Sequence, residues 1–170
     1  MKKGIISLLL VFSAVCSYAQ AGDLFVGAMG GYITHYEDPL YGLNLSYHVN
    51  DPIELSLNGL FNSNVTLKDD FSDDSKLKLL SLNLDLHYYM ILMRSWATGP
   101  TIGGQYLRIT DKADQPLLNA SAGGFNIGWH FRGNISDTMK AFGGWRYTMA
   151  GKEYSHHFFY IGVGYTFSLF

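Results

Sequence analysis

Apolar and polar residues alternate along most of the chain after its first twenty positions. Between residues 41 and 49, Tyr41, Leu43, Leu45, Tyr47 and Val49 are apolar or aromatic, and glycine, asparagine, serine and histidine lie between them. A period of two predicts a β-strand whose two faces meet different surroundings. The chain shows no sustained helical period, so we predict an all-β fold.

Eight segments carry this pattern, and turn-like stretches separate them. Their ranges are 24–36, 41–49, 53–61, 80–88, 98–110, 125–131, 144–148 and 159–169. The first segment is weak because it is rich in glycine, and the fifth has only Ile102 and Tyr106 clearly on one face. Eight strands suffice to close a small antiparallel barrel.

A turn signal at residues 50–52, Asn-Asp-Pro, sets the register between the second and third segments. If this turn has three residues, Val49 lies opposite Ile53 and the two apolar faces coincide. The same register places His48 opposite Glu54 on the polar face. The two strands therefore form a self-consistent hairpin.

The polar face contains glycine, asparagine, serine and histidine with a few isolated charges, and charged residues are only 15% of the chain. A soluble sheet would instead place many lysines and acidic residues on its outer face. Small residues suit the narrow interior of an eight-stranded barrel. We therefore predict an eight-stranded antiparallel up-and-down transmembrane β-barrel whose apolar face meets lipid, and keep a soluble barrel as the alternative.

The N-terminus has the pattern of a secretory signal. Lys2 and Lys3 precede an apolar run at 4–15, and Ser-Tyr-Ala at 17–19 is a small-x-small cleavage pattern. We predict a cleaved signal peptide at 1–19 and a barrel domain at 20–170. Cys16, the one cysteine of the chain, offers a lipoprotein signal as an alternative. Cleavage after residue 19 leaves ten basic and fourteen acidic residues, a balance of −4 that makes nucleic acid a poor partner.

The connections indicate how the barrel lies in the membrane. Three short turns, at 50–52, 93–96 and 133–138, would lie on one side. Four mostly longer and more polar loops would lie on the other, at 37–40, 63–75, 111–118 and 150–157. Short turns are periplasmic in outer-membrane barrels. We therefore predict a multi-pass protein of the cell outer membrane with both termini in the periplasm.

Several polar side chains are predicted to form a network in the lumen. They are Ser46, His48, Glu54, Asp85, His87, His130, Arg132, Lys140 and Arg146. They could line a conducting path, but in eight strands we expect ion pairs that close the lumen. Ser46, His48 and Glu54 are also the residue types of a hydrolase triad, and pairing of His48 with Glu54 is the alternative that we favour.

An outer acidic cluster, Asp69, Asp70, Asp73 and Asp74, lies in the second loop. Its spacing lacks the glycine and glutamate of an EF-hand, and we interpret it as a solvated loop or as a Ca²⁺-bridged contact with lipopolysaccharide phosphates. The adjacent His156 and His157 point to opposite faces of an extended chain and make a poor chelate. We predict no metal site and no cofactor.

The chain resembles the outer-membrane β-barrel domain family, especially small eight-stranded members common in Bacteroidetes. The resemblance rests on the junction at 19–20, the opening FVGAMGGY at 25–32, Gly99-Pro100, and the closing IGVGYTF at 161–167. It implies an assembly signal at the C-terminal strand, formed by Tyr165, Phe167 or Phe170. It also implies periplasmic chaperones, the barrel-insertion machinery, and outer-membrane lipid and lipopolysaccharide as partners.

Members of such a family include anchors, adhesins, narrow channels and a few enzymes, so the fold alone does not give the function. We expect a monomeric, non-enzymatic barrel with a structural or surface-interaction role, adhesin-like or anchor-like, through its outer loops. A narrow channel for small or apolar solutes and a lipid A or phospholipid-modifying enzyme are the alternatives. No His-x-Ser element, which lipid A deacylases of this architecture carry, occurs in the chain.

Overall fold

The computed structural model describes residues 22–34, 38–50, 52–66, 76–93, 95–111, 120–150 and 154–168. These residues form nine β-strands: β1 Asp23–Ile33, β2 Asp38–Asn50, β3 Ile53–Thr66, β4 Lys76–Tyr88, β5 Met90–Met93, β6 Trp96–Asp111, β7 Ala120–Asn134, β8 Met139–Met149 and β9 His156–Ser168. The predicted signal peptide, including Cys16, lies outside the described residues and stays a prediction. The described part of the chain has no helix of the length and apolar character needed to cross a bilayer.

All strand pairs are antiparallel, and the sheet closes on itself. Strands that are neighbours in sequence pair with each other, except that β4 pairs with β6 instead of β5, and β1 pairs with β9. Strand β5 continues β4, because the pairs Leu86↔Ile102 and Met90↔Thr98 on either side of the break share one register. The break lies opposite Pro100, which has no backbone N–H to donate to the ladder. The predicted eight-stranded up-and-down barrel is confirmed.

The two ends of the barrel differ in their connections. We call the end where β1 begins and β9 ends the proximal end; it also carries the short connections at 51–52, 94–95 and 135–138. The distal end carries the connections at 34–37, 67–75, 112–119 and 150–155. The connections are thus distributed between the two ends as the sequence predicts.

The register of the β2–β3 hairpin is as predicted except at its turn. His48 pairs with Glu54, and Tyr47 pairs with Leu55. Ile53, however, pairs with Asn50 and not with Val49, because the register shifts between residues 48 and 50. A β-bulge therefore shortens the connection and leaves one extra residue on β2.

The predicted lipid-facing rows lie on the outside of the barrel. Leu43 and Ile161 are the most exposed of the aliphatic side chains, at 67% and 66%. Tyr47 was also predicted to face lipid in this outer row, and this prediction was wrong because its side chain is buried. Its side chain is only 1% exposed, and a Cβ added at Gly22 would lie 2.4 Å from its ring. The backbone before β1 therefore covers this tyrosine.

The inside of the barrel departs from the expected polar, small-residue composition at one end. Six large apolar side chains, each at most 2% exposed, fill the distal part of the lumen: Ile33, Leu40, Leu60, Leu79, Leu107 and Phe158. They pack against one another in one buried cluster. The barrel interior is therefore polar in its middle and apolar toward the distal loops.

Glycines inside the barrel permit close backbone contact. A Cβ at Gly42 would lie 1.9 Å from the carbonyl oxygen of Gly59, and one at Gly99 would lie 1.7 Å from that of Tyr88. No side chain fits at such distances without a shift of the neighbouring strand. These positions therefore require glycine because the walls of a narrow barrel crowd inward.

Candidate functional site

The first group of lumen residues lies near the proximal end and surrounds Glu54. Arg132 donates a hydrogen bond through Nη1 to Glu54 Oε2, and its Nη2 contacts Nε2 of His48. The His48 Nδ1 lies 3.4 Å from the same Glu54 oxygen. Tyr89 lies at the break between β4 and β5, and its hydroxyl donates a hydrogen bond of 3.3 Å to Glu54 Oε1. Side chains from four strand segments are thus joined across the lumen.

A second group surrounds Asp85 near the middle of the barrel. Arg146 Nη1 donates to Asp85 Oδ2 at 2.5 Å. Asn58 and Asn126 donate to the two carboxylate oxygens at 3.2 and 3.0 Å. The Arg146 guanidinium also lies 5.2 Å from the ring centroid of Tyr160. Because Asp85 and Arg146 are each only 2% exposed, the carboxylate depends on these partners in place of water.

Two histidines lie between these groups. The rings of His87 and His130 have centroids 4.2 Å apart. His87 Nε2 is 2.8 Å from the Ser56 hydroxyl, and His130 Nδ1 is 2.9 Å from the Tyr160 hydroxyl. Both rings are buried, at 2% and 3% exposed. The histidines therefore fill the cross-section of the lumen between the two ion pairs.

A layer of amides and hydroxyls follows toward the distal end, and sequence reasoning did not single out most of its members. They are Asn44, Ser56, Asn58, Ser81, Asn83, Gln105, Asn126 and Thr148. Gln105 Nε2 donates to Ser81 Oγ at 2.7 Å, and Thr148 Oγ1 donates to Asn126 Oδ1 at 2.8 Å. These residues are polar members of the alternating rows, and the prediction that the polar face lines the lumen already covered them.

The apolar distal cluster completes the filling of the lumen. A narrow gap remains where the amide layer meets Ile33, Leu60 and Phe158, and it has no room for a water molecule. At the proximal end, Phe25 and Phe142 pack edge to face with ring centroids 5.3 Å apart. Described side chains therefore occupy the interior over its whole length.

The hydrolase triad considered as an alternative is not assembled. The Ser46 hydroxyl donates to Asn44 Oδ1 at 2.7 Å. The His48 ring contacts Arg132 and Glu54 instead of this serine. Since the histidine is not in position to accept the serine proton, Ser46 lacks the general base that nucleophilic attack requires.

The remaining predicted residues lie at the ends or on the outside. Lys140 is half-buried on the lumen face of β8, at its proximal end. Tyr165 and Phe167 point outward on β9, with 54% and 53% of their surface exposed. Phe170 and the acidic residues Asp69, Asp70, Asp73 and Asp74 lie outside the described residues.

The two adjacent histidines of β9 point in opposite directions. His156 is buried, whereas His157 is exposed and accepts a hydrogen bond from Trp145 Nε1 at 3.1 Å. Within the described ranges, no three His, Cys, Asp or Glu side chains are grouped so that they could hold a metal ion. The lumen residues that the structure describes contact one another across the barrel, and the gap among them has no room for a water molecule.

Similar folds occur among solved outer-membrane proteins. The N-terminal β-barrel domain of OprF from Pseudomonas aeruginosa matches with a TM-score of 0.63 and 19% identity, over 87% of this chain and all of that one. Ail, the attachment invasion locus protein of Yersinia pestis, matches with a TM-score of 0.60 and 9% identity, over 88% of this chain and 99% of that one. At these identities the likeness shows the fold alone.

A third solved structure, a major outer membrane protein from Thermus thermophilus, has a TM-score of 0.65 and 14% identity, over 87% of this chain and all of that one. No sequence relative was found among curated proteins. The family described as "Outer membrane protein beta-barrel domain" matches residues 7–167, nearly the whole chain. An eight-stranded barrel with an apolar exterior and this family match lead to one conclusion: the chain is a member of the outer-membrane β-barrel domain family and an outer-membrane protein.

Proposed function

We propose that this protein is a closed, non-enzymatic barrel that serves the outer membrane as a structural element or as a surface-interaction module. The observation that carries this proposal is the filled lumen. The Arg132–Glu54 ion pair, the His87–His130 pair, the Arg146–Asp85 ion pair, an amide layer and an apolar cluster follow one another from the proximal to the distal end. A barrel filled in this way leaves its distal loops and its outer surface to carry the function.

The order of the lumen layers argues against the channel alternative. An ion or polar solute would have to pass the distal cluster, where Leu60, Leu79 and Leu107 are each 1% exposed. An apolar solute would have to displace the Arg146–Asp85 pair, which is costly because it would leave a buried charge without its partner. Neither class of solute has a continuous path through the described residues.

The enzyme alternative has little support from the same geometry. The Ser46 hydroxyl donates a hydrogen bond to Asn44. The Ser56 hydroxyl lies 2.8 Å from His87 Nε2, and both residues are buried inside the filled lumen. A phospholipid or lipid A molecule in the membrane cannot reach either serine from the outside. The lumen groups therefore act as structural partners for one another.

We place the distal end at the cell surface and both termini in the periplasm. The support is the length of the connections: the proximal turns have two or four residues between strands, whereas two distal connections have eight or nine. Short periplasmic turns and longer outer loops are the rule for bacterial barrels. The distal connections are therefore the part of the chain available to another cell, a surface or a soluble ligand.

The closed lumen can be tested in planar lipid bilayers. The purified protein is expected to show no stable conductance steps, because the described side chains leave no water path. A porin inserted under the same conditions is the positive control. A variant with Leu60, Leu79 and Leu107 replaced by serine should insert and conduct if the apolar cluster contributes the barrier. Stable steps from the wild-type protein would exclude a closed lumen.

A role for the distal loops can be tested by replacing residues 67–75 with a glycine-serine linker of equal length. The barrel should still form, because the paired residues of β3 and β4, 53–66 and 76–88, lie outside the replaced segment. Folding is checked by the difference in gel migration before and after boiling. We expect cell adhesion or envelope permeability to change several-fold, and a matched replacement of the proximal residues 135–137 should leave both unchanged. Unchanged phenotypes for each of the four distal loops would argue against a surface role.

A further inference from the structure

Three glycines on the outer surface of the barrel are not required by crowding. A Cβ at Gly123 would meet no atom within 4 Å, one at Gly104 only the Gly124 carbonyl oxygen at 3.8 Å, and one at Gly59 only Leu82 Cδ2 at 3.7 Å. These positions differ from Gly42 inside the barrel, where a Cβ would lie 1.9 Å from backbone. Glycine weakens a strand, and it often marks a bulge, a bend at a barrel corner or a place where a ligand or another backbone approaches closely. The open outer glycines therefore leave room for an external group to lie against the sheet.

Two of these glycines, Gly104 and Gly123, line a groove that crosses neighbouring strands, and Gly59 lies beside Leu82 of its wall. Strand pairing places Gly59 beside Leu82, Leu82 beside Tyr106, and Tyr106 beside Gly123. The groove has a volume of about 420 Å³ and is bordered on its outward side by Leu57, Leu82, Leu84, Gly104, Tyr106 and Gly123. Leucine side chains and a tyrosine ring form its walls, so it favours a narrow hydrocarbon chain.

Two cations lie on the same outer face, just distal to the groove. Arg108 follows Tyr106 at the next outward position of β6, and Lys78 occupies the outward row of β4. Lys78 pairs with Thr110 and Leu80 pairs with Arg108, so the two cations are diagonal neighbours with Cα atoms about 7–8 Å apart. Both side chains are exposed, and neither forms an ion pair with a described carboxylate. One anionic group can therefore contact both.

The distance between the cations and the groove fits a single amphiphilic ligand. Arg108 is four residues from Gly104 along β6, or about 13 Å at the rise of a β-strand. A molecule with a phosphate at the level of Lys78 and Arg108 can thus extend an acyl chain along the glycines toward the middle of the barrel. Arginine and lysine are the side chains that bind phosphate best.

We propose that this surface, formed by the Gly104–Gly123 groove with Lys78 and Arg108, binds one molecule of phosphorylated, several-chained glycolipid, the chemistry of lipid A. The choice of glycolipid rests on the orientation given under the proposed function, which places the cations in the outer leaflet. A second copy of the chain fits less well, because a two-fold interface would bring the same cations of both copies together.

The proposal can be tested by native mass spectrometry of the purified protein in detergent, where the result depends neither on orientation nor on conduction. The probe is hexa-acylated lipid A with two phosphates, titrated against the wild type and compared with dephosphorylated lipid A and with phosphatidylglycerol. We expect one bound lipid A per barrel, with at least tenfold weaker binding of both comparison lipids.

Two variants separate the parts of the site. K78Q/R108Q should weaken lipid A binding at least tenfold. It should also abolish the preference of the protein for phosphorylated over dephosphorylated lipid A. G123L, whose side chain projects into the groove, should weaken both forms of lipid A several-fold. G30L is the matched control, since Gly30 is an outward glycine of β1 whose Cβ would also have space, 3.6 Å from Tyr41. Boiling-dependent gel migration confirms that each variant is folded.

Three outcomes would overturn the proposal. In the first, K78Q/R108Q and G123L bind lipid A as tightly as the wild type. In the second, phosphatidylglycerol binds as well as lipid A, which would indicate a general anionic-lipid surface. In the third, the wild type is a dimer without lipid and G123L alone makes it monomeric, which would assign the groove to a second copy of the chain.

Discussion

Replacing Arg146 with methionine should lower the free energy of unfolding by about 3–5 kcal/mol, the cost of leaving a buried charge without its partner. Methionine retains much of the side-chain length but removes the hydrogen bond to Asp85 Oδ2 at 2.5 Å. Asn58 and Asn126 still donate to that carboxylate, but two amides do not replace a guanidinium. Denaturant unfolding in phospholipid vesicles, followed by tryptophan fluorescence, measures the loss.

The double variant D85N/R146M is the control for this prediction. It removes both charges, and buried ion pairs replaced by uncharged residues are often near neutral. We therefore expect it to be more stable than R146M alone, although it contains one substitution more. R108M is the matched control for loss of an arginine at an exposed position and should change stability by less than about 1 kcal/mol. If D85N/R146M is as unstable as R146M, the cost comes from packing of the arginine stem and not from the unpaired carboxylate.

The alternating pattern predicted the strands, their order and their outer faces because a strand in a membrane barrel separates two contrasting surroundings. Each outward position meets hydrocarbon and each inward position meets the lumen. Apolar residues such as Leu82, Leu84 and Leu86 therefore occur at every second position. The exposures of Leu82 and Leu86, 42% and 44%, follow from this alternation. The register of His48 with Glu54 followed from the turn and the coincidence of the apolar faces.

The distal apolar cluster was not predicted because its members break the alternation. Leu60, Leu79 and Phe158 each stand next to an outward apolar residue, namely Phe61, Leu80 and Phe159 in the sequence. A pair of consecutive apolar residues looks like an ambiguous strand end when each strand is read alone. Only alignment of the strands by register shows that these pairs lie at one level of the barrel and close it.

The partners within the lumen also could not be read from the sequence. His48 pairs with Glu54 across one hairpin, but Arg132, which completes the group, is 78 residues from Glu54. Asp85 and Arg146 are 61 residues apart. Closure of the sheet and the stagger of its strands determine which charges meet, and these depend on all eight strands together. The alternating pattern indicates that each of these charged side chains faces the lumen, but it does not indicate which partner the side chain contacts.

The largest effect on the outer surface is expected from an arginine in place of Ile161. This side chain is 66% exposed in the middle of β9, paired with Gly30 on β1 and with Gly143 on β8. In a bilayer, a lipid-facing arginine at the midplane costs about 2–4 kcal/mol, and the cost falls to about 0–1 kcal/mol near the interface. I161R should therefore lose that amount of unfolding free energy in phospholipid vesicles.

Tyr41 provides the matched control, because it is also outward and 64% exposed but lies near the distal end of β2. Y41R should cost no more than about 1 kcal/mol in the same vesicles, since its guanidinium can reach the interface. The difference between the two variants measures depth in the membrane and not loss of an apolar contact, because both remove a well-exposed apolar side chain. A soluble barrel would give the opposite result: with water around both positions, I161R and Y41R would be equally tolerated. Equal stability of the two variants would therefore contradict the assignment of the leucine-rich and aromatic rows to the lipid.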